Sequence, residues 1–175
     1  MRSALQGRSP ETGTFEGFAR RERAALTTLA WALTGSLAAA EELAQDALTA
    51  AWQSWDRVGG YDRPGAWARR VVANRAAGVH RRAGRERRAM GQLSARNEAS
   101  GSVELNVGGE TAALWNAVRA LPLRQGQVVA LHYLEDRPVS EIAAILDCAE
   151  ATVRVHLHRG RLGLARQLGL IGEES

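Results

Sequence analysis

Apolar residues along this chain recur at spacings of three and four, and no stretch sustains the alternation of a half-buried strand. The pattern predicts an all-α protein. A first helix is expected from Thr14 to about Thr34, with Phe15, Phe18, Leu26, Leu29, Ala30 and Leu33 near one stripe. Thr14 suits its N-cap and Gly35 its end. A second, from Leu37 to Trp55, should bury Ala40, Leu43, Ala44, Ala47, Leu48, Ala51 and Trp55, leaving Glu41, Glu42, Gln45, Asp46 and Gln53 on its other face. A turn-rich stretch from Asp56 to Arg63 follows. Pro64 fits the first turn of a third helix, where its missing N–H costs nothing. That helix should turn Trp67, Val71, Val72 and Ala76 inward and run to about Arg88.

From Ala89 to Gly109 the periodicity fades, and serine, asparagine, glutamate and glycine accumulate in linker composition. A second block follows. Thr111 to Ala120 is amphipathic through Leu114, Val118 and Leu121, and ends at Leu121-Pro122, because a residue before proline avoids helical geometry. Leu123 to Leu134 forms the next helix. After the turn Glu135-Asp136-Arg137-Pro138, a short helix from Ser140 to Leu146 takes Ser140 as its N-cap. A long one then runs from about Glu150 to Leu168. The organisation expected is two small helical domains, 14–88 and 110–170, joined by a flexible linker at 89–109, with tails at 1–13 and 171–175.

Charge sharpens this plan. All 23 basic side chains are arginine, which points to GC-rich coding rather than to a function. Nine arginines lie between Arg63 and Arg88 against the single acid Glu86; four lie between Glu150 and Arg166 against Glu150 alone. Basic helix faces on two separate domains are the footprint of phosphate contact. The second helix is acidic instead. A single cysteine, Cys148, excludes an intrachain disulfide framework, and the four histidines form no metal-ligand pattern. Nothing in the sequence therefore asks for a metal or a cofactor. No apolar run reaches the roughly 18 residues that span a bilayer, Met1–Gly13 lacks a signal peptide's apolar core, and a cytoplasmic protein is expected.

The segment Val139–Leu157 reads as helix, tight turn, helix. Ala143 and Ala144 are small where two helices would cross, and Asp147 tolerates the left-handed backbone of the turn. Val153, Leu157 and Leu164 should face the core, while Glu150, Thr152, Arg154, His156, His158, Arg159 and Arg161 point outward. Such a helix fits a major groove, with N-terminal residues at base edges and later arginines on the backbone.

Three stretches resemble the extracytoplasmic-function group of bacterial sigma factors. Ala40-Glu41-Glu42-Leu43-Ala44-Gln45-Asp46-Ala47-Leu48 is similar to the segment that docks on the clamp helices of the largest RNA polymerase subunit. Arg63–Arg75, through Trp67 and Asn74, resembles the segment at the minus-ten element. Leu121-Pro122-Leu123-Arg124-Gln125 with the helix-turn-helix resembles the domain that reads the minus-thirty-five element. The turn departs from the usual pattern in carrying Asp147 and Ala149 for glycine and serine.

The resemblance implies a non-enzymatic initiation factor. Core polymerase would be held through Glu41, Glu42, Gln45, Asp46 and Thr49. The minus-ten element would meet Arg63, Arg70, Asn74, Arg75, Arg81 and Arg82, with an unstacked base captured by the 58–63 loop. The minus-thirty-five element would meet Glu150, Thr152, Arg154, His156, Arg159 and Arg161. Promoter DNA and core polymerase are the partners implied, with an anti-sigma protein as a further one. The competing reading is a one-component helix-turn-helix regulator whose first domain senses a ligand. An enzyme acting on nucleic acid lacks a usable constellation, since the carboxylates of the second helix have no histidine near them in sequence.

Overall fold

The computed structural model describes residues 13–90 and 109–170, and among them there is no strand. Eight helices follow in chain order: α1 (Phe15–Thr34), α2 (Leu37–Gln53), α3 (Trp55–Val58), α4 (Pro64–Met90), α5 (Gly109–Ala120), α6 (Leu123–Tyr133), α7 (Val139–Leu146) and α8 (Glu150–Gln167). The expected linker is helical at both of its ends; its middle, 91–108, and both outer tails lie outside the described residues.

Local chemistry sets the first helices. Thr14 Oγ1 accepts a hydrogen bond from the Gly17 amide at 3.2 Å, and Gly35, at φ 75°, ends α1 in the left-handed conformation that glycine adopts without cost. Ser36 Oγ caps α2 by accepting from the Ala39 amide at 3.3 Å. Each cap is worth about 1 kcal/mol. Full burial of a leucine contributes about 1.5–3 kcal/mol, so packing outweighs capping here. Leu26, Leu29 and Ala30 of α1 meet Ala40, Leu43, Ala44, Ala47 and Ala51 of α2, with Ala68, Val72, Ala73 and Ala76 of α4 completing the core. The alanines let the helices approach closely.

The end of the second helix differs from expectation. Helix α2 stops at Gln53, and Trp55 instead opens the short α3, where its ring packs against Phe15 and Phe18 at centroid distances of 5.5 and 5.0 Å. That aromatic cluster turns the chain at Ser54.

In the second block, Val118, Leu121, Val128, Val129, Leu131, Ile142, Ile145, Leu146, Val153 and Leu157 are buried. Helix α5 corrects the sequence expectation by one position: Trp115 is buried, whereas Leu114 is exposed. The cause is a second neighbour, α1, whose Trp31 meets Trp115 edge-on at 6.4 Å. Helix α7 begins one residue early. Pro138 is its N-cap, its carbonyl accepting from the Glu141 and Ile142 amides, and Ser140 makes no cap.

The two blocks dock on each other: α1 touches α5 and α6, and α4 touches α6 and α7. Arg119 stacks over Trp31, 5.4 Å from its centroid. The buried Gln127 donates its amide N–H to the Ala73 carbonyl at 2.8 Å.

Candidate nucleic-acid and partner interface

Burial of the apolar stripe of α2 forces its polar residues outward. Glu41, Glu42, Gln45 and Thr49 are exposed, and Asp46, half-buried at the edge of this face, accepts a hydrogen bond from Arg75. Trp52 continues the same strip and is 62% exposed. Sequence reasoning passed over it, although its spacing from Gln45 and Thr49 puts it on that face. An exposed tryptophan beside carboxylates is the composition of a binding hot spot.

Helix α4 carries the basic candidates, and the structure divides them. Arg81 and Arg82 are exposed, as are Asn74 and Arg75. Arg63 projects into solvent and pairs with Glu141 at 2.8 Å. Arg70 is tied down: its Nη2 donates to the Ala144 carbonyl at 2.6 Å and its Nε to that of Ile145 at 3.2 Å. The Asp147 carboxylate stands 3.8 Å away.

Arg69, counted with the basic run in the sequence, is no surface charge. It is 4% exposed. It donates to Glu22 at 2.7 Å, to the Gly65 carbonyl at 3.0 Å, and to Glu135 across the boundary between the blocks. A Cβ at position 65 would stand 2.8 Å from Arg69 Nη1 and 3.0 Å from Glu22 Oε1, so glycine there makes room for the pair. Burial alone would lower the pKa of Arg69, but the hydrogen bonds and charges of Glu135 and Glu22 outweigh it and the net direction is upward. The guanidinium stays charged at any physiological pH.

Beside α4 the 58–63 loop forms one wall of a groove of about 430 Å³, lined by Arg57, Tyr61, Arg63, Trp67 and Arg70. Trp67 is half-buried, with one side on the core and the other on this groove. Tyr61 is exposed and was not singled out in the sequence, because a lone aromatic in a turn has no periodic signature. Ala144 of α7 also lines this groove. Ala144 was expected at the crossing of α7 and α8. It is exposed instead, and Ala143 alone packs inward.

The helix-turn-helix forms as the sequence predicts at its turn. Asp147 has φ 54° and ends α7, its amide donating to the Ala143 carbonyl. A β-branched residue in this conformation is strained by about 1–2 kcal/mol. Asp147→Val should therefore lower the thermal midpoint while Asp147→Gly leaves it near wild type, a contrast that circular dichroism melts would read.

On α8, Glu150, Thr152, Arg154, His158, Arg159 and Arg161 are exposed. Arg154 donates to Glu150 at 2.7 Å. Arg161 donates to the Tyr133 hydroxyl at 2.5 Å and lies over its ring. His156 departs from expectation: it is half-buried, and its Nδ1 is buried without a hydrogen-bond partner. It sits three residues after Val153 and four before Gly160, both buried, so it borders the packed seam rather than the open face.

Among the described residues no helix is long and apolar enough to cross a membrane, and no group of three or more histidine, cysteine, aspartate or glutamate side chains is placed to hold a metal ion. Residues 18–86 match the family model "Sigma-70 region 2", and residues 111–164 match "Sigma-70, region 4". Among solved structures, the sigma factor RpoE of Bartonella quintana, crystallised with the anti-sigma factor NepR, shares the fold. The TM-score is 0.68 over 90% of this chain and 98% of that one, at 23% identity. No curated protein matches by sequence.

Proposed function

The chain belongs to the sigma-70 family of RNA polymerase sigma factors, and from that premise we propose how its surfaces direct promoter-specific transcription initiation. The plan of region 2 and region 4, separated by residues 87–110 alone, fits the extracytoplasmic-function group. Core polymerase docks on the outer face of α2 through Glu41, Glu42, Gln45, Asp46 and Thr49, with Trp52 as an aromatic anchor. The minus-ten strand runs along α4 past Arg63, Arg70, Asn74, Arg75, Arg81 and Arg82. An unstacked base enters the groove between Tyr61 and Trp67, where stacking on an aromatic contributes about 1–3 kcal/mol. That offsets the few kcal/mol of unstacking, so trapping the open strand shifts the melting equilibrium. Region 4 lays α8 in the major groove of the minus-thirty-five element through Glu150, Thr152, Arg154, Arg159 and Arg161, with His156 at the margin of this face.

One observation carries this reading: α2 exposes Glu41, Glu42, Gln45 and Thr49, with Asp46 at their edge paired to Arg75, whereas α4 and α8 expose arginines. One face suits a basic protein surface and the others suit phosphates. Region 2 in residues 18–86 also disfavours a ligand-sensing regulator. The protein acts in the cytoplasm, where polymerase works, and RNA synthesis itself stays with the polymerase. By analogy with RpoE and NepR, an anti-sigma protein is a further partner.

Reconstituted transcription tests the whole reading. Core polymerase with the purified chain should yield promoter-specific transcripts from the genome of origin, and absence of any such product would refute it. Within region 4, Arg154→Ala should cost about 1–3 kcal/mol at one promoter position and relax its sequence preference. Arg159→Ala should weaken all sequences alike and flatten the salt dependence. Binding to a set of single-position promoter variants would separate the two.

A further inference from the structure

Near the start of α8 one apolar side chain stands on the open face and takes no part in the core. Val155 is 46% exposed. At 3.6 residues per turn it lies at least about 140° round the helix from each of the buried Val153, Leu157 and Gly160. His156, expected on the open face, borders the packed seam, and Val155 takes the centre of that face instead. Its neighbours three and four residues away are Ala151, Thr152, His158 and Arg159, all exposed. Neither burial nor helix propensity accounts for a valine here, since alanine or arginine forms helix better.

The chemistry of the major groove gives such a side chain one use. Base edges there present hydrogen-bond donors and acceptors, with a single apolar group among them, the C5-methyl of thymine. Valine has no side-chain donor or acceptor. A polar base edge pressed against it loses water and gains no partner, whereas a thymine methyl gains apolar burial. Branching at Cβ holds a helical valine in one preferred rotamer, so its methyls are placed before contact and little side-chain entropy is lost. Arg154, Arg159 and Arg161 are exposed on the same helix and draw phosphates, which commits the face to DNA. Ala151, one turn earlier, is small and lets the helix come close to the base edges. We infer that Val155 is a specificity-determining residue of region 4, reading one thymine of the minus-thirty-five element through its C5-methyl group. The inference rests on the reading of α8 as the major-groove helix, and deepens it by naming a base that the site must contain.

Selection by the full-length chain from a pool of randomised DNA duplexes would define the preferred site. Each thymine of that site is then replaced singly by deoxyuridine, which removes the methyl and keeps every hydrogen-bonding group. One replacement should weaken binding about fourfold, the effect of one buried methyl. Val155→Ala should bind the thymine duplex about fourfold more weakly than wild type and should not distinguish it from the deoxyuridine duplex. At the same position 5-methylcytosine should bind more tightly than cytosine, for wild type alone. Leu162→Ala trims another exposed apolar side chain farther along α8 and should keep the full response to deoxyuridine. Alanine favours helix at both positions, so both variants should fold. A preferred site without thymine, a wild type indifferent to every deoxyuridine, or a Val155→Ala chain that still responds to them would overturn the inference while leaving α8 in the groove. A pool from which no sequence is enriched would instead remove the groove reading, and this inference with it.

Discussion

Promoter-directed transcript should fall by about 100-fold or more when Gln45→Ala is combined with Asp46→Arg, the cost of losing a hot spot of about 3 kcal/mol. The effect arises at the polymerase, not in the fold. Gln45 is exposed, and Asp46 meets Arg75 across a half-open pair. A surface ion pair of that kind contributes about 0–1 kcal/mol, so the double variant should melt within a few degrees of wild type. A cation at position 46, by contrast, faces whatever basic surface the α2 carboxylates complement, and like charges across an interface cost several kcal/mol. Pull-down with core polymerase should lose the variant, while its region 4 keeps its affinity for a minus-thirty-five duplex. Retained pull-down would place the docking surface elsewhere on region 2.

Arg69→Ala should be the most destabilising single exchange on α4. It removes the cation that holds Glu22 and Glu135, leaving Glu22 half-buried and the buried Glu135 with Arg137 alone. Breaking a buried pair from one side costs about 3–5 kcal/mol. For a chain of this size each kcal/mol lowers the melting midpoint by about 2–4 °C, which predicts a drop of about 6–20 °C in a calorimetric scan. Glu135→Gln should cost clearly less, because Arg69 keeps Glu22 and the Gly65 carbonyl. A scan in which Arg69→Ala melts like wild type would show that the guanidinium is solvated and holds neither carboxylate.

These two sites mark the limits of what the chain discloses on its face. Gln45 and Asp46 were legible, because a helix that buries every apolar position on one side has nowhere else to put its polar ones. Arg69 was not. In the sequence it is one arginine of the nine that make the run basic, and nothing local sets it apart from the others. Its burial depends on Glu135, 66 residues away. His156 and Leu114 misled for a related reason: periodicity names a stripe, but a residue at its margin is buried or exposed according to which neighbour arrives. Trp31 arriving beside α5 chose Trp115 over Leu114. Ser140 failed as a cap because Pro138 already supplied the first turn's acceptor.

Seven of the eight helices, their order, the caps at Thr14 and Gly35 and the left-handed turn at Asp147 were determined by the sequence itself. Each depends on interactions within a few residues, where side-chain period, backbone tolerance and local hydrogen bonds decide the outcome. Tertiary structure alone decided that the two blocks lie against each other, that Arg69 is a buried link and not a surface charge, and that Ala144 of α7 joins Tyr61 and Trp67 in lining one groove. Those outcomes turn on surfaces brought together from opposite ends of the chain, and the free energy of such an encounter leaves no local pattern.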